Sequence, residues 1–369
     1  MGQLHHVETW HENAGSDLRP QAGDRGASQA ARKWPCACVD DPGHIRLTPR
    51  RANTLTVERF QGCLLGLALG DALGAVHEGG PLERLLWGVI GTTIAGHIRW
   101  TDDTQMSLDV AESLIATGTL DLDDLAARFA GNYRWSRGYG QSTSRLLKRV
   151  ARGMHWREAN RTVHRDGSFG NGAAMRAPVV GLFFANRRSD LAAAARLSAS
   201  VTHAHPLGME GAALVASATA FALLNHPAAE VLKAAASACT LEPFVARVET
   251  ALKWFNSGAE PTPADVAGQL GHGIAASESC VTAIYVAVRF LDRRFFELQE
   301  FITACGGDVD TIGAMAGAIW GAANGVRRLP AEELARLEQR ERLMNIASSL
   351  HARTIDAVNL DEGSSSLTV

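Results

Sequence analysis

Residues 306–325 read GGDVDTIGAMAGAIWGAANG. The first six carry two carboxylates and a hydroxyl, Asp308, Asp310 and Thr311, behind a glycine pair. The rest places Gly313, Gly317, Gly321 and Gly325 at every fourth position. On a helix, positions spaced in this way line up as a nearly straight stripe. A glycine in a helix interior costs about 1 kcal/mol against alanine, so four in one helix require a compensating cause. Close approach of a second backbone supplies it. A matching stripe, Gly62, Gly66, Gly70 and Gly74, lies far upstream. The pair predicts two helices packed side by side at short distance near the centre of the fold. The membrane form of this motif does not apply, because charged residues such as Asp71 interrupt the stripe.

Outward from this pair the chain reads as helical. Thr119 opens a helix that stops near Gly131, and Ser142 opens another that stops near Gly153. Ser189-Asp190 caps an Ala-rich stretch to Ser200. Further helical stretches are Leu207–Leu224, Ala228–Cys239, Pro243–Ser257, Ser277–Asp292, Phe295–Cys305 and Ala331–Ser349, on capping residues, apolar spacing and terminal Gly. Alternating β-branched runs bounded by turns are nearly absent, so no sheet is expected. Residues 1–54 differ: they are rich in His, Arg, Asp, Gly and Pro and lack a sustained period. They read as a poorly ordered or partner-binding extension, followed by a catalytic domain at 55–352 and a C-terminal tail at 353–369.

The 369 residues are 46% apolar and 20% charged, with a formal net charge of −3. A large core is expected, and bulk electrostatics give no case for nucleic-acid binding. No membrane association is expected, because the run Gly211 to Leu224 is too short and too rich in Ala and Ser to span a bilayer. The start, Met1-Gly2-Gln3-Leu4-His5-His6, lacks the pattern of a signal peptide. Four of the six cysteines, Cys63, Cys239, Cys280 and Cys305, lie in apolar helical sequence. They read as reduced, buried thiols and point to a cytoplasmic protein.

A second acidic segment, Trp100-Thr101-Asp102-Asp103-Thr104, complements the one at Asp308. Together they offer four carboxylates and three hydroxyls, with no His or Cys. Donors of this kind suit Mg²⁺, Mn²⁺ or Ca²⁺ rather than zinc. Four negative charges balance two divalent cations, which makes a paired-metal hydrolase site the natural hypothesis.

Six motifs in order carry a resemblance. They are residues 66–78 (GLALGDALGAVHE), 100–106 (WTDDTQM), 167–176 (GSFGNGAAMR), 202–206 (THAHP), 273–285 with its Glu278-Ser279 pair, and 306–313 (GGDVDTIG). Over roughly Phe60 to Leu329 the chain resembles the ADP-ribosylglycohydrolase family, including the dinitrogenase reductase-activating glycohydrolases. The resemblance implies an all-α fold: a compact orthogonal multi-helix ADP-ribosylglycohydrolase-like fold with a dinuclear metal centre. It implies two Mg²⁺ (or Mn²⁺) and hydrolysis of an ADP-ribose glycosidic bond. Thr101, Asp102 and Asp103 match the family's first ligand motif, and Asp308, Asp310 and Thr311 its second.

The same resemblance assigns the loop Gly167, Ser168, Phe169, Gly170, Asn171 and Gly172 to the diphosphate and distal ribose. Glycine-rich loops can turn successive N–H groups toward an anion. His205 and Gly273 are further substrate-side candidates, and Phe169 or Tyr139 could stack on adenine. Glu78 and Asp103 compete for the proton-transfer role. Arg176 reads as a brace for a carboxylate or helix end, and Glu278 as a buried polar tie.

The expected partner is an ADP-ribosylated protein. The linkage leans to N-glycosidic arginine, since the motifs look closest to bacterial enzymes that remove it. O-linked (Ser/Thr), nucleic-acid and small-molecule conjugates are the alternatives. A non-catalytic ADP-ribose-binding protein is a further one, which the intact ligand set argues against. Residues 1–54 are a candidate arm for blocking an ADP-ribosyltransferase toxin.

Overall fold

The structure is a computed structural model that describes residues 55–77, 87 and 90–365, with side chains described to residue 357. Residues 1–54, Glu78 and the Gly79-Gly80-Pro81 segment lie outside the described residues. Among the described residues there are sixteen α-helices and no strand, only isolated bridges. In chain order the helices are α1 (Val57–Gly74), α2 (Asp102–Thr117), α3 (Leu122–Asn132), α4 (Gln141–Val150), α5 (Trp156–Val163), α6 (Ala177–Phe183), α7 (Arg188–Ser200) and α8 (Pro206–Leu223). They continue with α9 (Ala228–Ala238), α10 (Phe244–Ser257), α11 (Pro263–Leu270), α12 (Ala276–Arg289), α13 (Phe295–Cys305), α14 (Val309–Asn324), α15 (Ala331–Arg336) and α16 (Arg340–Ser365).

α1 and α14 are buried almost all round, as expected of helices enclosed by others. They run antiparallel with their glycine stripes in contact. Gly62 faces Gly321, Gly66 faces Gly317, Gly70 faces Gly313, and Gly74 faces Asp310. A Cβ on Gly313 would lie 2.8 Å from the Gly70 carbonyl oxygen, and one on Gly74 2.6 Å from the Asp310 nitrogen. Backbone fills the space where side chains would stand, as the spacing predicts. α12 packs on α14 and α8, and α8 in turn takes α6, α7 and α9. Two helical segments, Val57–His77 and Pro206–Leu223, are long and apolar enough to cross a membrane. Each is 78% buried inside the protein, so both serve as core helices here.

Most expected helices are present within a few residues. Ala331–Ser349 is not one helix: it breaks between α15 and α16. Ile98 pairs with Leu337 there, with N–H···O bonds from Ile98 to Arg336 (2.8 Å) and from Glu338 to Ile98 (3.0 Å). Gln339 then takes φ 53° to restart the helix. α7 starts at Arg188, with Arg187 in the cap position, so Ser189 lies inside the helix and does not cap it. α16 runs without interruption across residue 353, where a tail was expected to begin. Of the four described cysteines, Cys63, Cys280 and Cys305 are buried thiols, and Cys239 is half-buried.

Candidate metal centre and substrate cleft

Thr101 starts α2 as its N-cap, its hydroxyl accepting the Asp103 N–H at 3.3 Å. The start is fastened from two sides. Asp71, fully buried in α1, accepts from Thr101 N (2.9 and 3.0 Å), Thr104 N (3.1 Å) and Thr104 Oγ1 (2.5 Å). Burial pushes its carboxyl up to about 6, and these three donors pull against that shift. On the other side Trp100 donates its N–H to Glu338 Oε1 at 3.0 Å and its Nε1 to Glu338 O at 3.2 Å. Arg137 pairs with Glu338 and donates to Trp100 O at 2.7 Å, with its guanidinium over the indole at 3.6 Å. Neither Asp71 nor Glu338 stands out as a site residue in the sequence.

The second acidic segment starts α14. Gly306 and Gly307 take φ 70° and 76°, a region open to glycine at little cost. The turn lets Asp308 N reach His272 O at 2.9 Å. His272 is itself held by Nδ1 against Cys305 O at 2.9 Å. The loop at Gly271–Gly273 therefore braces the acidic turn. Asn171 fixes the Asp308 side chain: its Nδ2 donates to Asp308 Oδ2 at 2.5 Å and to Ser279 Oγ at 3.0 Å. Asp310 Oδ1 accepts the Thr311 N–H at 2.8 Å.

The two helix starts meet at one cleft of about 300 Å³. Asp102, Asp103, Asp308, Asp310 and Thr311 line it, together with Ser168, Gly170, Asn171 and Gly172. Thr101 does not, being turned into the cap. Gly138 touches this group, with its Cβ position 3.7 Å from Asp102 Oδ1. No Lys or Arg is among the described lining residues, and the single imidazole, His203, is buried. Burial pushes His203 down to about 3, with Arg176 adding to the shift, so it stays neutral. The donors that the two acidic segments bring to the cleft are thus all oxygen, four of them carboxylates. Asp103, Asp308 and Asp310 are each buried, and ionised carboxylates are that deeply buried only when compensated by cations or hydrogen bonds. The residues present fit hard divalent cations. Among the described residues no three His, Cys, Asp or Glu side chains are gathered tightly enough to clasp one ion as they stand.

Other expected site residues fall into place unevenly. The loop from Gly167 to Gly172 is tied down by an antiparallel bridge between Gly170 and Ala275. Three of its N–H groups are already taken by protein acceptors: Gly167 N on His164 O (3.1 Å), Gly170 N on Ser168 Oγ (3.3 Å) and Asn171 N on Ile274 O (2.9 Å). Phe169 is 56% exposed, edge-on to His205 with centroids 5.8 Å apart. His205 caps α8, accepting Leu207 N at 3.2 Å, and does not line the cleft. His203 does line it, lying under Gly172. Tyr139 is buried against Tyr133, so its ring is not presented for stacking.

Arg176 is a brace, donating to Gly172 O, Ser198 O and Thr202 Oγ1. Glu278 is exposed and lies against Gly273. It is not the expected buried tie; Ser279 takes that part, bonding Asn171 and Ala275 O. The two alternate on α12, and only Ser279 faces inward.

Fold and cleft together define an all-helical hydrolase type with an acidic, oxygen-lined centre. The profile of the ADP-ribosylglycohydrolase family matches residues 52–358, and the chain belongs to that family. It is 33% identical over 341 residues to "ADP-ribosylhydrolase ARH3" of Gallus gallus, covering 79% of this chain and 92% of that protein. It is 30% identical over 293 residues to "ADP-ribosyl-[dinitrogen reductase] glycohydrolase" of Rhodospirillum rubrum, covering 77% and 91%. A solved "ADP-ribosylglycohydrolase-related protein complex" superposes with a TM-score of 0.62 at 29% identity, covering 81% of this chain and 98% of that one. The two named enzymes match at similar identity, so the linkage is not fixed by likeness to the bacterial enzyme.

Proposed function

We propose that this glycohydrolase releases ADP-ribose from a modified protein side chain, an N-glycosidic arginine conjugate, with two Mg²⁺ or Mn²⁺ at the acidic cleft. The observation that carries the reading is the convergence of four carboxylates and Thr311 on a cleft whose described lining holds no Lys or Arg. Such a lining accommodates a cationic guanidinium leaving group without like-charge repulsion.

Asp102, Asp103, Asp308 and Asp310, with the Thr311 hydroxyl, would hold the ions, and Thr101 would support them as the cap of α2. Ions so bound polarise ribose hydroxyls and lower the pKa of a water. The chain's own residues do the rest. Asn171 holds Asp308 in one rotamer, and Asp71 and Glu338 fix the α2 start from which Asp102 and Asp103 project. The carboxylates stabilise positive charge developing at the anomeric carbon as the glycosidic bond lengthens. Asp103 is the described candidate to take the proton of the attacking water, and Glu78 is its competitor. The wall formed by Ser168, Gly170 and Gly172 receives the distal part of the ligand.

The test is hydrolysis of arginine-ADP-ribosylated and serine-ADP-ribosylated protein by the purified chain with Mg²⁺, Mn²⁺ or EDTA. Asp308→Ala and Asp310→Ala are run alongside, with circular dichroism to verify folding. Release from the arginine conjugate, lost with EDTA and in both variants, is the expected result. Release from the serine conjugate alone would move the linkage and keep the site. Unchanged hydrolysis in both variants would sink the assignment.

A further inference from the structure

Residues 133–139, Tyr-Arg-Trp-Ser-Arg-Gly-Tyr, join α3 to α4 and carry three aromatic rings. Two of them pack together: Tyr133 and Tyr139 have centroids 4.9 Å apart. The third, Trp135, is 81% exposed, the most exposed aromatic side chain among the described residues. An indole left in water forgoes a large gain from burial. Its backbone is nonetheless fixed. Trp135 opens a short 3-10 turn, Trp135–Arg137, whose last residue is buried on Glu338 and donates to Trp100 O at 2.7 Å. Gly138 closes the turn at φ 88°.

The turn stands at one end of the acidic cleft. One wall of that cleft is chain that follows the turn, from Gly138 to Ser142. Gly138 lies against the carboxylates, its Cβ position 3.7 Å from Asp102 Oδ1. Ser142 Oγ meets His164 Nε2 at 2.8 Å, and His164 O accepts Gly167 N at 3.1 Å. That end of the wall therefore adjoins the Gly167–Gly172 loop. Followed backward, the chain passes from the loop to Asp102 and leaves the cleft at Gly138. Trp135 is three residues beyond, within about 11 Å of Gly138 even for extended chain. In an ADP-ribosyl conjugate the diphosphate and the scissile bond lie on opposite sides of the proximal ribose. With the distal part of the ligand on the Ser168 wall and that ribose at the carboxylates, the leaving group departs toward the Trp135 end.

We infer that Trp135 is a specificity-determining contact for the polypeptide that carries the modified side chain, packing on the residues that flank it. The inference rests on the glycohydrolase reading given above, which places the distal part of the ligand. A protein substrate continues past the end of the cleft, where a free conjugate stops. An indole has two side-chain torsions and here stands on a fixed turn, so ordering it on binding costs little. Trp is enriched among the few residues that dominate protein interfaces. Nucleic acid on the same side would be held chiefly by cations. Of the two arginines beside the indole, Arg137 is neutralised by Glu338, and Arg134 Nη1 is bent back onto Gly131 O (3.3 Å) and Tyr133 O (2.9 Å). An apolar platform whose neighbouring cations are already engaged suits a polypeptide.

Two substrates with the same bond test this, an arginine-ADP-ribosylated protein and free ADP-ribosyl-arginine, with the serine pair run in parallel. Trp135→Ala is compared with Leu197→Ala, which removes a 52% exposed apolar side chain on α7, and folding is verified by circular dichroism. Trp135→Ala should raise KM for the protein by about tenfold or more with kcat kept, the mark of binding lost equally from ground and transition states. KM for the free conjugate should not change, and Leu197→Ala should match wild type on both. An unchanged KM for the protein, or an equal rise for the free conjugate, would overturn the inference while wild-type turnover keeps the glycohydrolase reading. A rise confined to a phosphate-ADP-ribosylated oligonucleotide would give the contact to nucleic acid and overturn it too. Turnover of the serine pair alone would move the linkage, and the same KM comparison on that pair would decide. A wild type inactive on every substrate would overturn the reading and the inference with it.

Discussion

The Asp71 carboxylate accepts the backbone N–H of Thr101 on both of its oxygens, at 2.9 and 3.0 Å. One turn before the end of α1, it serves as an external cap for α2 and so sets where Asp102 and Asp103 begin. Replacing Asp71 by Ala would leave Thr101 N, Thr104 N and Thr104 Oγ1 buried without this acceptor. Buried donors stripped of a charged partner cost about 1–3 kcal/mol or more. Asp71→Ala should lose about 2–4 kcal/mol in urea unfolding and most of its turnover. A variant with wild-type stability and activity would show that the cap is dispensable.

Asn171 offers a milder handle on the same centre. It touches Asp308 and Ser279 and lines the cleft. Groups that orient a ligating carboxylate are worth about 10–100-fold in metal affinity or activity. Asn171→Ala should therefore weaken the Mg²⁺ dependence of turnover by about that factor while leaving the melting temperature within a few degrees. The apparent Mg²⁺ constant, taken from rate against concentration, decides it.

The glycine contact separates two substitutions that look alike in sequence. Gly66→Ala places a methyl group against the Gly317 backbone, which cannot move aside. Overpacking of this kind costs about 1–3 kcal/mol, occasionally more. Gly131→Ala, late in α3, meets nothing within 4 Å. It should stabilise by about 0.5–1 kcal/mol through helix propensity and a stiffer unfolded chain. Equal effects in chemical denaturation would contradict the packing described for α1 and α14.

A pH effect follows from Asp109 in α2. Its Oδ1 accepts from Gln105 Nε2 (3.1 Å) and Asn132 Nδ2 (2.8 Å), and Oδ2 is buried without a hydrogen bond. Burial pushes the carboxyl up to about 7, against those two donors. Between about pH 4 and 7 the native state keeps a proton that the unfolded chain has released. Its contribution is therefore largest at the acid end and is lost as pH rises through 7. Asp109→Asn keeps the acceptor and removes the titration. The stability advantage of wild type over this variant should shrink or reverse between pH 5 and pH 8. Parallel stability curves would exclude the shift.

Much of this was legible in the sequence. The two glycine stripes gave the central helix pair, because backbone contact leaves a spacing that can be counted. The acidic segments gave the lining of the cleft, because carboxylates cluster where helices begin. What could not be read depended on contacts across the fold. Asp71 looked like an interruption of a stripe, and only its position beside Thr101 reveals the cap. Glu338 sat inside an apparently unbroken helical pattern. The break there is imposed by Ile98, some 240 residues away, which pairs with Leu337. His203 and His205 are indistinguishable by type and neighbourhood; which one lines the cleft depends on where α8 starts.

The facing glycines also act as a ratchet between the two acidic segments. α1 carries Asp71, the anchor of the first, and its Gly74 rests on Asp310 of the second. Screwing α1 forward by one residue, a rise of about 1.5 Å, would drive Cys63, Leu67 and Asp71 into the Gly313–Gly321 backbone. The next register that restores glycine to every contact lies four residues on, about 6 Å away, far outside any geometry in which both segments could share one ligand. The separation of the two halves is therefore quantised. Small drifts in helix packing, of the kind that gradual core substitutions produce in other proteins, have no intermediate step to occupy here.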